Sequence, residues 1–171
     1  ISLSRVIDQM LSQAMIIHRQ DSQAKELLDL REVAVEILEE SDHDGTAGST
    51  QVNLILPDTE IPVLGDFLSL TEAGKNLLTN ALAHGRGPIR LGVENDGLAK
   101  LWVADRGAGP PDEILQRLGE RYAGAATSSS GHGLGLSIAK SVAESHGGTL
   151  THKRDPSGFR FSIDIPAARS T

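Results

Sequence analysis

Apolar residues first recur at helical spacing: Leu3, Val6, Ile7, Met10, Leu11, Ala14 and Ile17 fall on one narrow stripe. So narrow a stripe is buried only against another helix. The polar run "RQDSQAKELL" then interrupts the pattern, and Asp29 with Glu32 carries the signature of a capping box opening a short helix through Leu38. The acidic "EESDHDGTAGST" reads as a loop. A boundary near residue 22 divides a helical arm, 1–22, from a domain, 23–171.

From Gln51 the period shortens to that of strands. "VNLIL" and "IPVLG" bracket a turn at Pro57 and Asp58, "PIRLGV" and "KLWVAD" bracket "ENDG", and "GTLTHKR" and "FRFSIDIP" bracket "DPSG", predicting three hairpins. Helical patterns over Thr71–Ala83, Asp112–Arg121 and Gly135–Ser145 lie between them. Hairpins interleaved with helices predict an α+β fold, a two-layer sandwich whose antiparallel or mixed sheet is covered on one face by helices.

Composition narrows the function classes. A chain of 171 residues holds one domain with a sizeable core and a helical appendage. Its net charge of -7 argues against a nucleic-acid partner held by phosphate contacts. Cysteine is absent, which removes disulfides and thiolate metal sites and suits a reducing cytoplasm. No apolar run approaches the roughly 20 residues that span a bilayer, so no membrane contact is expected of this chain. It begins at Ile1 without an initiator Met or a signal-peptide pattern, as expected of a piece of something longer.

The chemistry concentrates in three stretches. In "SSSGHGLGLSIAKSVAESHGG", Gly131, Gly133 and Gly135 precede a helix, where free amides and the helix dipole favour an anion such as phosphate. Gly-x-Gly-x-Gly is not the dinucleotide fingerprint, and Leu136 and Ser137 after Gly135 exclude a Walker loop. A plain flexible linker is the bland alternative.

In "LTEAGKNLLTNALAHG", Leu70, Ala73, Gly74, Leu77, Leu78, Ala81 and Leu82 form the packing face, while Glu72, Asn76 and Asn80 recur every four residues on another. Two carboxamides at that spacing can offer oxygens to a cation such as Mg2+, which keeps several waters. A capping box of Ser69 with Glu72 is the competing local reading. In "LWVADRGAGPP", a strand ends in Asp105, whose carboxylate can accept an exocyclic amino proton of a purine. Gly107 and Gly109 keep the following loop thin enough for a base to lie against it. Alone, Asp105 is more often a turn former.

Together, in this order, these stretches resemble the nucleotide site of the GHKL ATPase and kinase superfamily, specifically the catalytic ATP-binding domain of bacterial sensor histidine kinases, over about residues 51 to 167. "NLLTNA" looks like the N box, "DRGAG" the first glycine box, "GHGLGLSIAKSVAESHGG" the second, and "LQRLGERYAG" a shortened F box. The resemblance implies a Bergerat-type fold with ATP and Mg2+ as cofactors. It implies that Asn80 coordinates Mg2+, that Asn76 sits beside the phosphates, and that Asp105 recognises adenine beside Gly107 and Gly109. Gly131, Gly133, Leu134, Gly135 and Leu136 line the triphosphate under a lid, "AGAATSSS". Glu72 and Asn76 are the catalytic candidates.

By the same resemblance "SRVIDQMLSQA" looks like the end of the second helix of a dimerisation hairpin. The parent is then a homodimer that passes phosphate to a response regulator, cytoplasmic and with an inner-membrane anchor elsewhere in the parent. The helix bearing the acceptor His is missing, and none of the six His residues has its context, so this chain is not expected to phosphorylate itself.

Two departures bear on affinity. Ala83 stands where the family usually has Lys or Arg, and "RYAG" lacks the F-box Arg, leaving Arg86, Arg121 or Lys140 as substitutes. Hydrolysing relatives place a Glu four residues before the metal Asn; with Asn80 as ligand that place is held by Asn76, a poor base, which favours phosphotransfer. A register one turn earlier makes Glu72 the base. A degenerate nucleotide-binding domain, or a non-enzymatic interaction module with glycines serving only as turns, is the alternative from another class.

Overall fold

The computed structural model describes residues 7, 10, 25–43, 45, 50–118 and 133–168. The elements are β1 (Glu26–Asp29), α1 (Leu30–His43), β2 (Val52–Ile55), β3 (Pro62–Gly65), α2 (Phe67–His84), β4 (Ile89–Asn95), β5 (Ala99–Asp105), α3 (Asp112–Leu118), α4 (Gly133–Ser145), β6 (Thr149–Asp155) and β7 (Gly158–Ile165). Ile7 and Met10 of the N-terminal stripe are helical and exposed.

Five strands form a mixed sheet in the order β2-β4-β5-β7-β6, with β2 parallel to β4 and the other pairs antiparallel. The register sets Leu91 beside Val103, Leu101 beside Ile163 and Leu150 beside Ile163, so one face is aliphatic. Against it pack α1 through Leu30, Val33 and Ile37, α2 through Leu70, Leu77 and Leu78, and α4 through Leu136, Ala139 and Val142, all buried. On the opposite face the Arg160 guanidinium lies 3.9 Å from the Trp102 ring centroid. The two-layer α+β sandwich follows from this one-sided burial.

The "ENDG" and "DPSG" hairpins form as expected, as β4–β5 and β6–β7. The third does not. β2 joins the large sheet beside β4, whereas β3 pairs antiparallel with β1, a strand that begins in the polar run read as a break and ends on the capping Asp29. Tertiary contacts override the local turn: Arg31 Nη1 donates to the carbonyls of Pro57 and Asp58, tying the intervening loop to α1. Asp29 accepts from the Arg31 and Ile61 amides, so it caps α1 and anchors β3 at once.

α2 begins four residues before the expected Thr71. Asp66 is its N-cap and accepts from the Ser69 amide at 3.2 Å, leaving Ser69 inside the first turn, so Ser69 and Glu72 form no capping box. Similarly α4 begins at Gly133 rather than Gly135, and α3 is described as far as Leu118.

Candidate functional site

The site grows from α2. Asn76 Nδ2 donates to the Glu72 carbonyl one turn back at 2.9 Å, which aims its Oδ1 at α4. A Cβ on Gly135 would lie only 3.2 Å from that oxygen, so the glycine lets the first turn of α4 lie directly against Asn76. One turn further, Asn80 Oδ1 is buried with no hydrogen-bond partner among the described residues. A buried acceptor left unmatched costs about 1–3 kcal/mol, and a hard cation or a bound water removes that cost. Among the described residues no three His, Cys, Asp or Glu side chains form a metal cage, so a cation here would depend on ligand oxygens as well. Glu72 lies 4.0 Å from Lys75, which also pairs with Glu40 at 3.0 Å.

Asp105 ends β5 and is only 6% exposed. Its Oδ1 accepts from the Gly107 amide at 2.5 Å and the Arg86 amide at 3.4 Å, while Oδ2 accepts from none of the described residues. The Arg106 amide donates to the Arg86 carbonyl at 2.9 Å, stitching the loop after α2 to the loop after β5. The stitch brings Asp105 to the C-terminal end of the Asn80 helix. Oδ2 lies against Gly85, where a Cβ would approach it to 2.6 Å. Nothing in the sequence singled out Gly85 or the Arg86 backbone; the signal was there only as a glycine just past a helix end.

The glycines divide by what fills their missing side chains. Gly109 has φ +81, and a Cβ would strike the Phe159 ring at 2.2 Å, so its thinness serves packing against β7. Gly107 serves Asp105 through its amide. α4 begins at Gly133, so its first-turn amides have no partner within the helix, and the Leu136 side chain is fully buried in the core, leaving only its backbone for a ligand. Gly131 and the lid "AGAATSSS" lie outside the described residues.

Of the substitute cations, Arg86 is exposed and Arg121 lies outside the described residues. Lys140 sits seven residues into α4, about 10 Å along the axis from its start. There it lines a cavity of about 330 Å³ with Leu115, Glu144, Leu150, His152 and Phe161.

The far end of α4 holds a buried histidine. His146 is 8% exposed, and burial holds its imidazole below the usual histidine range. The Asp66 amide donates to Nε2 at 3.0 Å, and Nδ1 donates to the Val142 carbonyl at 2.8 Å. A carbonyl only accepts and an amide only donates, so the ring is the neutral tautomer protonated at Nδ1. The helix closes just beyond it: Gly147 at φ +80 and Gly148 donate to the carbonyls of Glu144 and Ala143, a Schellman cap.

Comparison with known proteins gives the family and the fold. The family described as "Histidine kinase-, DNA gyrase B-, and HSP90-like ATPase" matches residues 65–169. The signal transduction histidine-protein kinase AfsQ2 of Streptomyces coelicolor is 41% identical over 96 residues, covering 53% of this chain and 18% of that protein. The sensor protein FixL of Bradyrhizobium diazoefficiens is 32% identical over 98% of this chain and 35% of its own length. The chain thus spans about a third or less of these relatives. In fold, the ATP-binding domain of PrrB from Mycobacterium tuberculosis superposes with a TM-score of 0.67 at 22% identity, covering 85% of this chain and 98% of that one.

Proposed function

Because this chain belongs to the histidine kinase-, DNA gyrase B-, and HSP90-like ATPase family, we propose that it is the catalytic ATP-binding domain of a two-component sensor histidine kinase, the domain running from about residue 23 to residue 171. The observation that carries the reading is the buried Oδ1 of Asn80, unmatched among the described residues, on the helix whose Asn76 meets the first turn of α4.

In this reading Asp105 Oδ2 accepts the adenine amino group, and the amides opening α4, from the loop with Gly131 through Gly133, Leu134, Gly135 and Leu136, receive the phosphates. Asn76 stands beside them, and Asn80 Oδ1 holds Mg2+. The ion supplies charge neutralisation for phosphoryl transfer, in which positioning outweighs covalent chemistry. With Asn76 four residues before Asn80 and Glu72 beside Lys75, no carboxylate stands at the water-activating place, which favours transfer to a protein over hydrolysis.

The γ-phosphoryl would pass to a His on a hairpin helix of the parent, a homodimer, and then to an Asp of a response regulator. None of the six His residues of this chain stands in the context of that acceptor, so the chain taken alone would not phosphorylate itself on it. The N-terminal arm, 1–22, would be the tail of that hairpin. No helix among the described residues is long and apolar enough to cross a membrane; we place the domain in the cytoplasm, beneath whatever anchor the parent carries.

Thermal unfolding with and without a non-hydrolysable ATP analogue, each with and without Mg2+, tests the reading. Analogue at about a hundred times its dissociation constant should add about 2.7 kcal/mol, several degrees in Tm. Asn80→Ala should abolish the Mg2+-dependent part, since it removes the carboxamide oxygen that would hold the cation. No shift at millimolar analogue would leave an interaction module as the better reading.

A further inference from the structure

We propose that His146 is a positioning residue for the nucleotide site, locking the C-terminal end of α4 to the N-cap of α2 and thereby setting how Asn76 meets the first turn of α4. The inference rests on the nucleotide reading above and adds a residue that touches no ligand.

The geometry is that of a two-point brace. α2 and α4 run antiparallel, because the residue before α2 meets the residue after α4, while Asn76 meets Gly135 further along. Asp66 lies ten residues before Asn76 and His146 eleven after Gly135, about 15 Å along either axis. At one end the contact is the 3.0 Å bond from the Asp66 amide to Nε2; at the other it is the close approach of Gly135 to Asn76 Oδ1. Between them α2 and α4 lie against each other, and Leu70, Ala73, Leu77, Leu136, Ala139 and Ala143 are buried in one core cluster, so a shift at one end is felt at the other.

Asp66 has two tasks: its amide grips His146 and its carboxylate caps α2 by accepting from Ser69. Gly65 leaves room for the ring, since a Cβ there would lie 3.0 Å from His146 Cδ2.

The brace has a protonation state. Adding a proton turns Nε2 from acceptor into donor, facing the N–H of Asp66, so the bond must break. Two charged groups bear on the ring from neighbouring elements: Lys25 ahead of β1, whose Nζ donates to the Ser145 carbonyl, disfavours the cation, and Asp66 favours it. Ser145 Oγ, 3.1 Å from Nδ1, is neutral. Burial dominates and lowers the pKa from its ordinary 6.5, so the brace is whole at neutral pH and is lost only as pH falls through a value below 6.5. Stability follows the same sign: above 6.5 it is fully present, and it declines below as the unfolded chain takes up the proton first.

Two nearly isosteric substitutions separate the halves of the brace. In His146→Gln the side-chain oxygen reaches the place of Nε2 and still accepts from Asp66; in His146→Asn the shorter amide reaches only the place of Nδ1. The experiment is calorimetric titration of a non-hydrolysable ATP analogue with Mg2+ into the wild-type chain and both variants, at about pH 7.5 and in steps below the ordinary histidine range down to the acid edge of the folded state. Amide exchange at Asp66 is followed in parallel.

Expected at the higher pH are a Kd within about 3-fold of wild type for the glutamine variant and a Kd weaker by about 10-fold for the asparagine variant, the equivalent of one lost hydrogen bond. On acidification the wild type should weaken more than the glutamine variant, which has no proton to gain and also reports any titration of the nucleotide itself. Should the asparagine variant not fold, that difference carries the test alone. Wild-type affinity in an asparagine variant whose Asp66 amide has lost protection overturns the inference, as do parallel pH profiles for wild type and glutamine. A wild type that binds no nucleotide fails before any substitution is compared, which marks failure of the nucleotide reading and takes the inference down with it.

Discussion

Gly158→Ala is expected to destabilise the fold by about 3 kcal/mol or more, lowering Tm by roughly 6–12 °C at this chain length. Gly158 has φ +144, a conformation costing an L residue about 1–3 kcal/mol. Worse, its Cβ would lie 1.9 Å from the Asp105 carbonyl and 2.8 Å from Arg106 Cα, both backbone atoms that cannot swing aside as a side-chain tip can. Relieving such overlap costs a further 1–3 kcal/mol or so. Because the strand that must yield is the one ending in Asp105, nucleotide affinity should fall with stability. A melting curve of Gly158→Ala matching wild type would sink the expectation.

Asp105→Asn should leave the fold intact and weaken ATP by about 100-fold. The substituted amide keeps an oxygen where Oδ1 accepts from the Gly107 and Arg86 amides, so the stitched loops survive. At the place of Oδ2 it sets an NH2 donor against the adenine amino group, replacing a charge-assisted bond by a donor–donor clash. The lost bond is worth about 1.5–3 kcal/mol and the unmatched group about 1 kcal/mol more, which together span two decades in Kd. A nucleotide lacking the exocyclic amino group makes no such bond, so its affinity should change little. Titration of both nucleotides into both proteins reads this directly; an equal loss for the two would mean that Asp105 acts through structure alone.

What could be read from the sequence was what lies close along the chain. Glu72, Asn76 and Asn80 were recognisable as one face because a helix places every fourth residue together whatever it packs against, and the "ENDG" and "DPSG" hairpins because their turns need only nearby residues. The same locality misled where distant atoms intervened. Ser69 and Glu72 have the spacing of a capping box, but Asp66 three residues earlier holds the Ser69 amide. Pro57 and Asp58 look like a hairpin turn, but Arg31 draws their carbonyls to α1 and the flanking strands enter different sheets. β1 has four residues, two of them exposed, too little pattern to register as a strand until β3 supplies its hydrogen bonds.

The sequence by itself determined the α+β class, the family, and the helix and loops that carry the candidate site, because those rest on period, turn chemistry and motif order. Only the tertiary structure decided how the pieces meet: the Arg86 amide on Asp105, Gly135 against Asn76, the unmatched Asn80 oxygen, and His146 on the α2 cap. Each of these is a contact between residues 19 to 80 positions apart, or the burial of a polar atom by several elements at once. A hydrogen bond of that range depends on the packing of whole helices against the sheet, and no window of sequence short enough to be read as a pattern contains both of its ends.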